Sequence, residues 1–286
     1  MIYIAIAFAI AVILTIVSEG AHYAFRWYEV SNRNYDKKDT WFSAIWADNA
    51  SPVRSFFMEC FYSWLYTATV IVHAIFIKPL RWLRNDPPAP VNKDKPLVVL
   101  IHGYMASENH FWLMKKRFYD NDIENVVTFG YDRKKLTVES AAEKLHDMIL
   151  RIKSETGVKE TVLVGHSAGG LIAYKYAMEY GEGEVRAVVA LAAPFRGSRL
   201  TVLSLTPFAR NLHPSNPMFA EMISTKINAP LLSVFSKYDQ LVLPYTNCEH
   251  PFADENAEIS GTGHSGFYFS RNAFNIMAEW LKKRVL

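Results

Sequence analysis

The sequence predicts an α/β fold, a mostly parallel sheet of about six strands covered by helices on both faces and preceded by an α-helical membrane module. Three observations lead there. Beyond residue 96, continuous apolar runs alternate with segments of helical period. One of those runs passes into a helix across only five residues, Gly165-His166-Ser167-Ala168-Gly169. Before residue 85 the chain is apolar and rich in tryptophan over stretches long enough to enter a bilayer.

The first element is residues 1–18, "MIYIAIAFAIAVILTIVS", which hold no charged side chain. A secretory signal would begin with a basic residue, whereas the first Lys or Arg here is Arg26, so the stretch reads as an uncleaved anchor. Residues 56–77 form a second apolar stretch, interrupted by Glu59 and His73. Those two side chains are costly in lipid unless they face a protein interior or an interface, so this stretch either completes a hairpin or lies on the bilayer surface. Trp27, Trp41, Trp46, Trp64 and Trp82 fall in the same region, and indole rings prefer the headgroup layer. Residues 1–84 are therefore an anchoring module with the bilayer as partner. Its orientation stays open: "KPLRWLR" favours a cytoplasmic C-terminal domain, while Arg26, Arg33, Lys37, Lys38 and Arg54 between the stretches favour the reverse.

Residues 85–95 are proline-rich and polar and read as a linker. The domain at 96–286 then alternates. Strands are expected at 97–101, 126–129, 161–164, 187–193, 231–235 and 257–260. Val138, Ala141, Ala142, Leu145, Met148, Ile149 and Ile152 share one helical face, with Thr137 as N-cap. A helix begins near Leu171, and Ala273, Ile276, Met277, Trp280 and Leu281 stripe the last one, closed by Lys282, Lys283 and Arg284. About thirty residues from 195 to 228 form a long insertion in which Thr206 and Pro207 start a short helix. Leu200, Leu203, Leu205, Phe208 and Leu212 either line an acyl pocket or mobile lid, or belong to a helix that only completes the core.

Composition narrows the function classes. A net charge of +3 without a basic stripe argues against nucleic acid as partner. Two distant cysteines, Cys60 and Cys248, make neither a disulfide framework nor a zinc pattern, and no metal or cofactor is expected. "GTGHSG" at 261–266 spells a dinucleotide fingerprint, but only one helix and no second strand follow it.

The corner at Ser167 carries the chemistry. A serine on a strained strand-to-helix turn projects its hydroxyl beyond the carboxyl end of the sheet, and glycines on either side let strand and helix approach. A hydroxyl at neutral pH needs a base, a histidine oriented by a carboxylate. Of nine histidines, His264 stands at the end of a late strand, in the chain order serine, acid, histidine. Asp239, in the loop past the 231–235 strand, is the acid by the same order, with Asp254 and Glu255 as alternatives in a polar stretch. The oxyanion takes the N–H of Ala168 and one from the loop after the first strand, Tyr104 or Met105.

With "LIHGYMAS", "VGHSAGG", "LAAPFRGS", Asp239 and "GTGHSGF" in place, residues 96–286 resemble the α/β-hydrolase superfamily, in particular bacterial lipases and esterases. The resemblance implies an α/β-hydrolase fold in a six-stranded version without the first hairpin. It also implies oxyanion donors at Tyr104 and Ala168, and an acyl-enzyme formed on Ser167. With the anchor, it points to a lipid or other ester as substrate and a bacterial inner membrane as location. A thioesterase or amidase would share the same triad, and a non-catalytic scaffold would share only the fold.

Overall fold

Six short strands, nearly all apolar, make one parallel sheet in the order β2-β1-β3-β4-β5-β6. The computed structural model describes residues 2–32, 52–73, 75, 91–132, 136–203 and 207–285. The strands are β1 (Leu97–Ile101), β2 (Val126–Phe129), β3 (Thr161–His166), β4 (Val185–Leu191), β5 (Leu231–Phe235) and β6 (Glu255–Glu258). β1, β3 and β5 are buried along their whole length, as strands covered on both faces must be. Side chains alternate between the two faces: Leu97, Val99 and Ile101 enter one core, Val98 and Leu100 the other.

Helices α4 (Val138–Thr156) and α5 (Ala168–Tyr180) cover the first face, and α3 (Trp112–Tyr119) and α8 (Arg271–Arg284) the second. Thr137 caps α4 by accepting from Ser140 N–H, and Gly157 ends it at φ 77°, a left-handed angle that favours glycine. Ser270 caps α8 through Ala273 N–H. The expected buried stripe of α4 holds, with Val138, Ala141, Ala142, Leu145 and Ile149 buried and Met148 and Ile152 packed beside them.

Three strands differ from expectation in their bounds. β3 runs on to His166, and β4 and β6 each start and end two residues early. β6 is a polar edge strand whose place is set by pairing with β5, Leu232 opposite Glu255, and not by its own hydrophobicity.

The insertion forms a 3-10 turn at Arg199–Leu203, then α6 (Pro207–Asn211) and α7 (Pro217–Ser224). Phe208, Leu212, Met218, Phe219 and Met222 are buried in the first core, so this segment closes that face of the sheet. Leu205, Thr206 and the side chain of Leu203 lie outside the described residues.

Among the described residues, the N-terminal module contains α1 (Ile2–Asn32) and α2 (Pro52–Val72). α1 continues well beyond the uncharged stretch because its later polar residues find partners on the domain. Gln240 Nε2 donates to Glu19 Oε2 at 2.8 Å, Arg26 Nε donates to the Lys237 carbonyl at 2.7 Å, and Glu29 pairs with Arg199 at 3.1 Å. Ile13, Leu14 and Val17, before Glu19, are exposed. α2 packs on the second core through Tyr62, Leu65 and Tyr66. Trp27 and Trp64 are exposed on these helices, while Trp41, Trp46, Trp82 and residues 76–90 lie outside the described residues. Residues 91–95, expected as linker, are already tied to the domain by reciprocal hydrogen bonds between Asn92 and Asn125.

Candidate active site

The sheet order reverses direction at β1 and β3, and there the chain leaves both strands at the same level, with Ile101 opposite Gly165. Crevices for ligands form outside such points. Ser167 occupies the corner between β3 and α5 at φ 55° and ψ −124°, a strained conformation for a residue with a Cβ. Its glycines are required by contact. A Cβ on Gly165 would strike the Gly169 carbonyl, and one on Gly169 would strike the Ile101 carbonyl.

His264 follows β6 and faces the same crevice. Its Nδ1 donates to Asp239 Oδ2 at 2.7 Å, which leaves Nε2 as the basic nitrogen. Asp239 is fully buried, and its other oxygen accepts the N–H groups of Leu241 and Val242, both at 2.8 Å. Burial pulls the His264 pKa down, but the Asp239 carboxylate, supported by Glu59 and Glu19, more than offsets this and holds it above the ordinary histidine value. Asp254, the alternative acid, is exposed and accepts the Leu231 N–H, so it caps β5 instead.

Ser167, His264, Tyr104, Leu200 and Leu212 line one predominantly apolar cavity of about 510 Å³. Ala21, His22 and Phe25 of α1 contribute to its wall. Among the described residues, Ser167 Oγ makes no hydrogen bond, so in this conformation the serine is not engaged by the imidazole. Such bonds commonly tighten only when substrate binds. Ala168 is the first residue of α5, where helix N–H groups lack intrahelical partners. The loop bearing Tyr104 is fixed by Gly103 N–H donating to Tyr268 Oη at 3.0 Å. Phe208 does not line the cavity; its ring stacks on Tyr104 at 5.2 Å and supports that wall from behind.

Several residues around His264 have no motif in the sequence to announce them. His166 Nε2 donates to the His264 carbonyl at 3.0 Å; burial, then the neighbouring His264 charge, keeps His166 neutral. Gln240 Oε1 accepts the His264 N–H at 3.0 Å. Glu59, fully buried on α2, accepts from Ser265 N–H at 2.7 Å, from Gly266 N–H at 3.3 Å and from Gln240 Nε2 at 3.0 Å. The one available signal was the charge itself, set in an apolar stretch.

A family model described as the alpha/beta hydrolase fold matches residues 96–263, more than half of the chain, and stops one residue short of His264. Over 119 residues the chain is 29% identical to a probable 1-acylglycerol-3-phosphate O-acyltransferase of Oryza sativa subsp. japonica. That segment is 36% of this chain and 29% of the rice protein, so the chain spans less than a third of the relative's length. The mature lipase BlEst2 of Bacillus licheniformis superposes with a TM-score of 0.57 at 15% identity, over 68% of this chain and 96% of that one. Lipase B of Aspergillus fumigatus gives 0.58 at 14% identity, over 70% and 56%. At these identities the likeness is one of fold.

Proposed function

The chain belongs to the alpha/beta hydrolase fold family, and from that premise we propose that it is a membrane-anchored serine hydrolase cleaving carboxylic esters of lipids. The observation that supports this most is the 2.7 Å bond between buried Asp239 and His264 beside a strained Ser167 in one apolar cavity. In the proposed cycle Ser167 Oγ attacks the ester carbonyl as His264 Nε2 accepts its proton. Asp239 holds the ring by Nδ1 and stabilises the imidazolium. The N–H groups of Tyr104 and Ala168 receive the oxyanion. The imidazolium then protonates the departing alcohol, leaving an acyl-enzyme on Ser167. Water, deprotonated by His264, releases the acid and restores the serine.

The apolar cavity wall suits an acyl chain, and α1 supplies part of that wall from the module proposed to seat the chain at the bilayer. Exposed Leu14 and Val17 precede that wall on the same helix. The experiment is turnover of a p-nitrophenyl ester by the full chain and by Ser167→Ala. Loss on the order of 10⁶-fold is expected from removal of a triad nucleophile; equal rates would sink the assignment.

The name of the rice relative favours a second outcome for the same acyl-enzyme, transfer to the free hydroxyl of a 1-acylglycerol-3-phosphate instead of water. Adding that acceptor to the assay would then divert product from free acid to the diacyl lipid.

A further inference from the structure

We propose that Glu59, carried by the membrane module, is a positioning residue that sets the place of His264, so that α2 is a working part of the active site. The proposal rests on the triad reading above, since it assigns Glu59 its role through His264.

His264 sits on a turn between an edge strand and a 3-10 helix at Ser265–Tyr268, where no strand ladder fixes the backbone. Three consecutive N–H groups of that turn end on side chains. His264 N–H goes to Gln240, and the next two, of Ser265 and Gly266, go to the two oxygens of Glu59. Gln240 bridges back, its Nε2 donating to Glu59 Oε1 and to Glu19 Oε2. Ser63 Oγ, one helical turn beyond Glu59, donates to the other Glu19 oxygen at 2.6 Å. The turn, the residue next to the catalytic acid and helices α1 and α2 thus form one closed, largely buried network. Such a network holds its members more rigidly than isolated pairs would.

Two glycines of "GTGHSG" support the same assignment. A Cβ on Gly263 would strike the Glu59 carboxylate, and a Cβ on Gly266 would come within 2.9 Å of the Tyr62 ring on α2. The motif is shaped to receive α2. Because a displacement of about 1 Å in a catalytic group costs on the order of 100-fold in rate, loosening this turn should be read in kcat.

The test uses the full chain in detergent, with Glu59→Gln, Glu59→Ala and Gln240→Met. For each, thermal midpoint, kcat and KM on a short p-nitrophenyl ester, and the rate of fluorophosphonate labelling at Ser167 are measured. The expected result is a fall in kcat and labelling rate of about 10- to 100-fold for Glu59→Ala. Glu59→Gln, which retains one acceptor oxygen, should fall less, and KM should stay within about twofold because the short ester does not touch Glu59. Glu59→Gln combined with Gln240→Met should cost less than the product of the two, because both act on one turn. Folded variants that label and turn over at the wild-type rate would overturn the proposal while leaving the hydrolase reading intact. Should Glu59→Ala fail to fold, the two milder variants and their combination decide on the same criteria. A wild-type chain that does not label removes the hydrolase reading and the positioning role together.

Discussion

At His264 four constraints meet: Asp239 on the ring, Gln240 on the N–H, His166 on the carbonyl and Glu59 on the residues that follow. Replacing Asp239 by Asn removes the acceptor that sets the tautomer, and kcat should fall by about 10⁴-fold with the fold retained. The raised pKa of His264 has two consequences of opposite sign. The proposed cycle needs the neutral ring, so the acid limb of kcat/KM should have its midpoint above the ordinary histidine value of about 6.5. The folded-state pKa exceeds the unfolded one, so the ion pair's stabilisation is complete below about 6.5 and is lost as pH rises through the folded value. A pH titration of rate and of thermal midpoint on the same samples should show activity rising where this share of stability disappears; a limb below 6.5 would contradict the geometry. Ser167 was legible from its glycines and His264 from its place at a strand exit. The contacts of Gln240 and His166 were not, because a glutamine beside an aspartate and a histidine ending a strand have no spacing that foretells their partners.

Among elements, the β3–α5 corner is the most tightly specified. Gly169→Ala drives a methyl into the Ile101 carbonyl and should cost about 1–3 kcal/mol or more in denaturant unfolding. Gly20→Ala, in α1 with nothing within 4 Å of the added methyl, should instead be neutral or stabilise by up to about 1 kcal/mol. If both substitutions cost the same, close packing is not what demands glycine at the corner. β1, β2 and β5 were placed to the residue, whereas β4, read from a continuous apolar run at 187–193, starts and ends two residues earlier. β6 was displaced because a strand with three polar residues out of four, at a sheet edge, follows its neighbour's register. The insertion left two readings open from sequence, and its described residues carry features of both: Phe208, Met218, Phe219 and Met222 are buried in the first core, while Leu200 and Leu212 line the cavity.

For the whole molecule, α1 divides into an exposed apolar half and a polar half docked on the domain. Leu14→Asp with Val17→Asp changes only exposed positions, so the fold and the soluble-ester activity should persist. Each change should weaken insertion by about 3 kcal/mol, roughly 100-fold in partitioning. Co-sedimentation with phospholipid vesicles checks this: unchanged sedimentation of the double variant would remove α1 as the anchor.

Local pattern determined the alternating strands and helices, the serine corner and the apolar N-terminal helix, because hydrophobic period and glycine placement act between near neighbours. Tertiary structure decided which polar groups meet. Glu59 and Ser265 are 206 positions apart in the chain, and Glu19 and Gln240 are 221 apart. A buried carboxylate is stable only where donors from distant segments converge on it, and that convergence exists only once the helices have docked on the sheet.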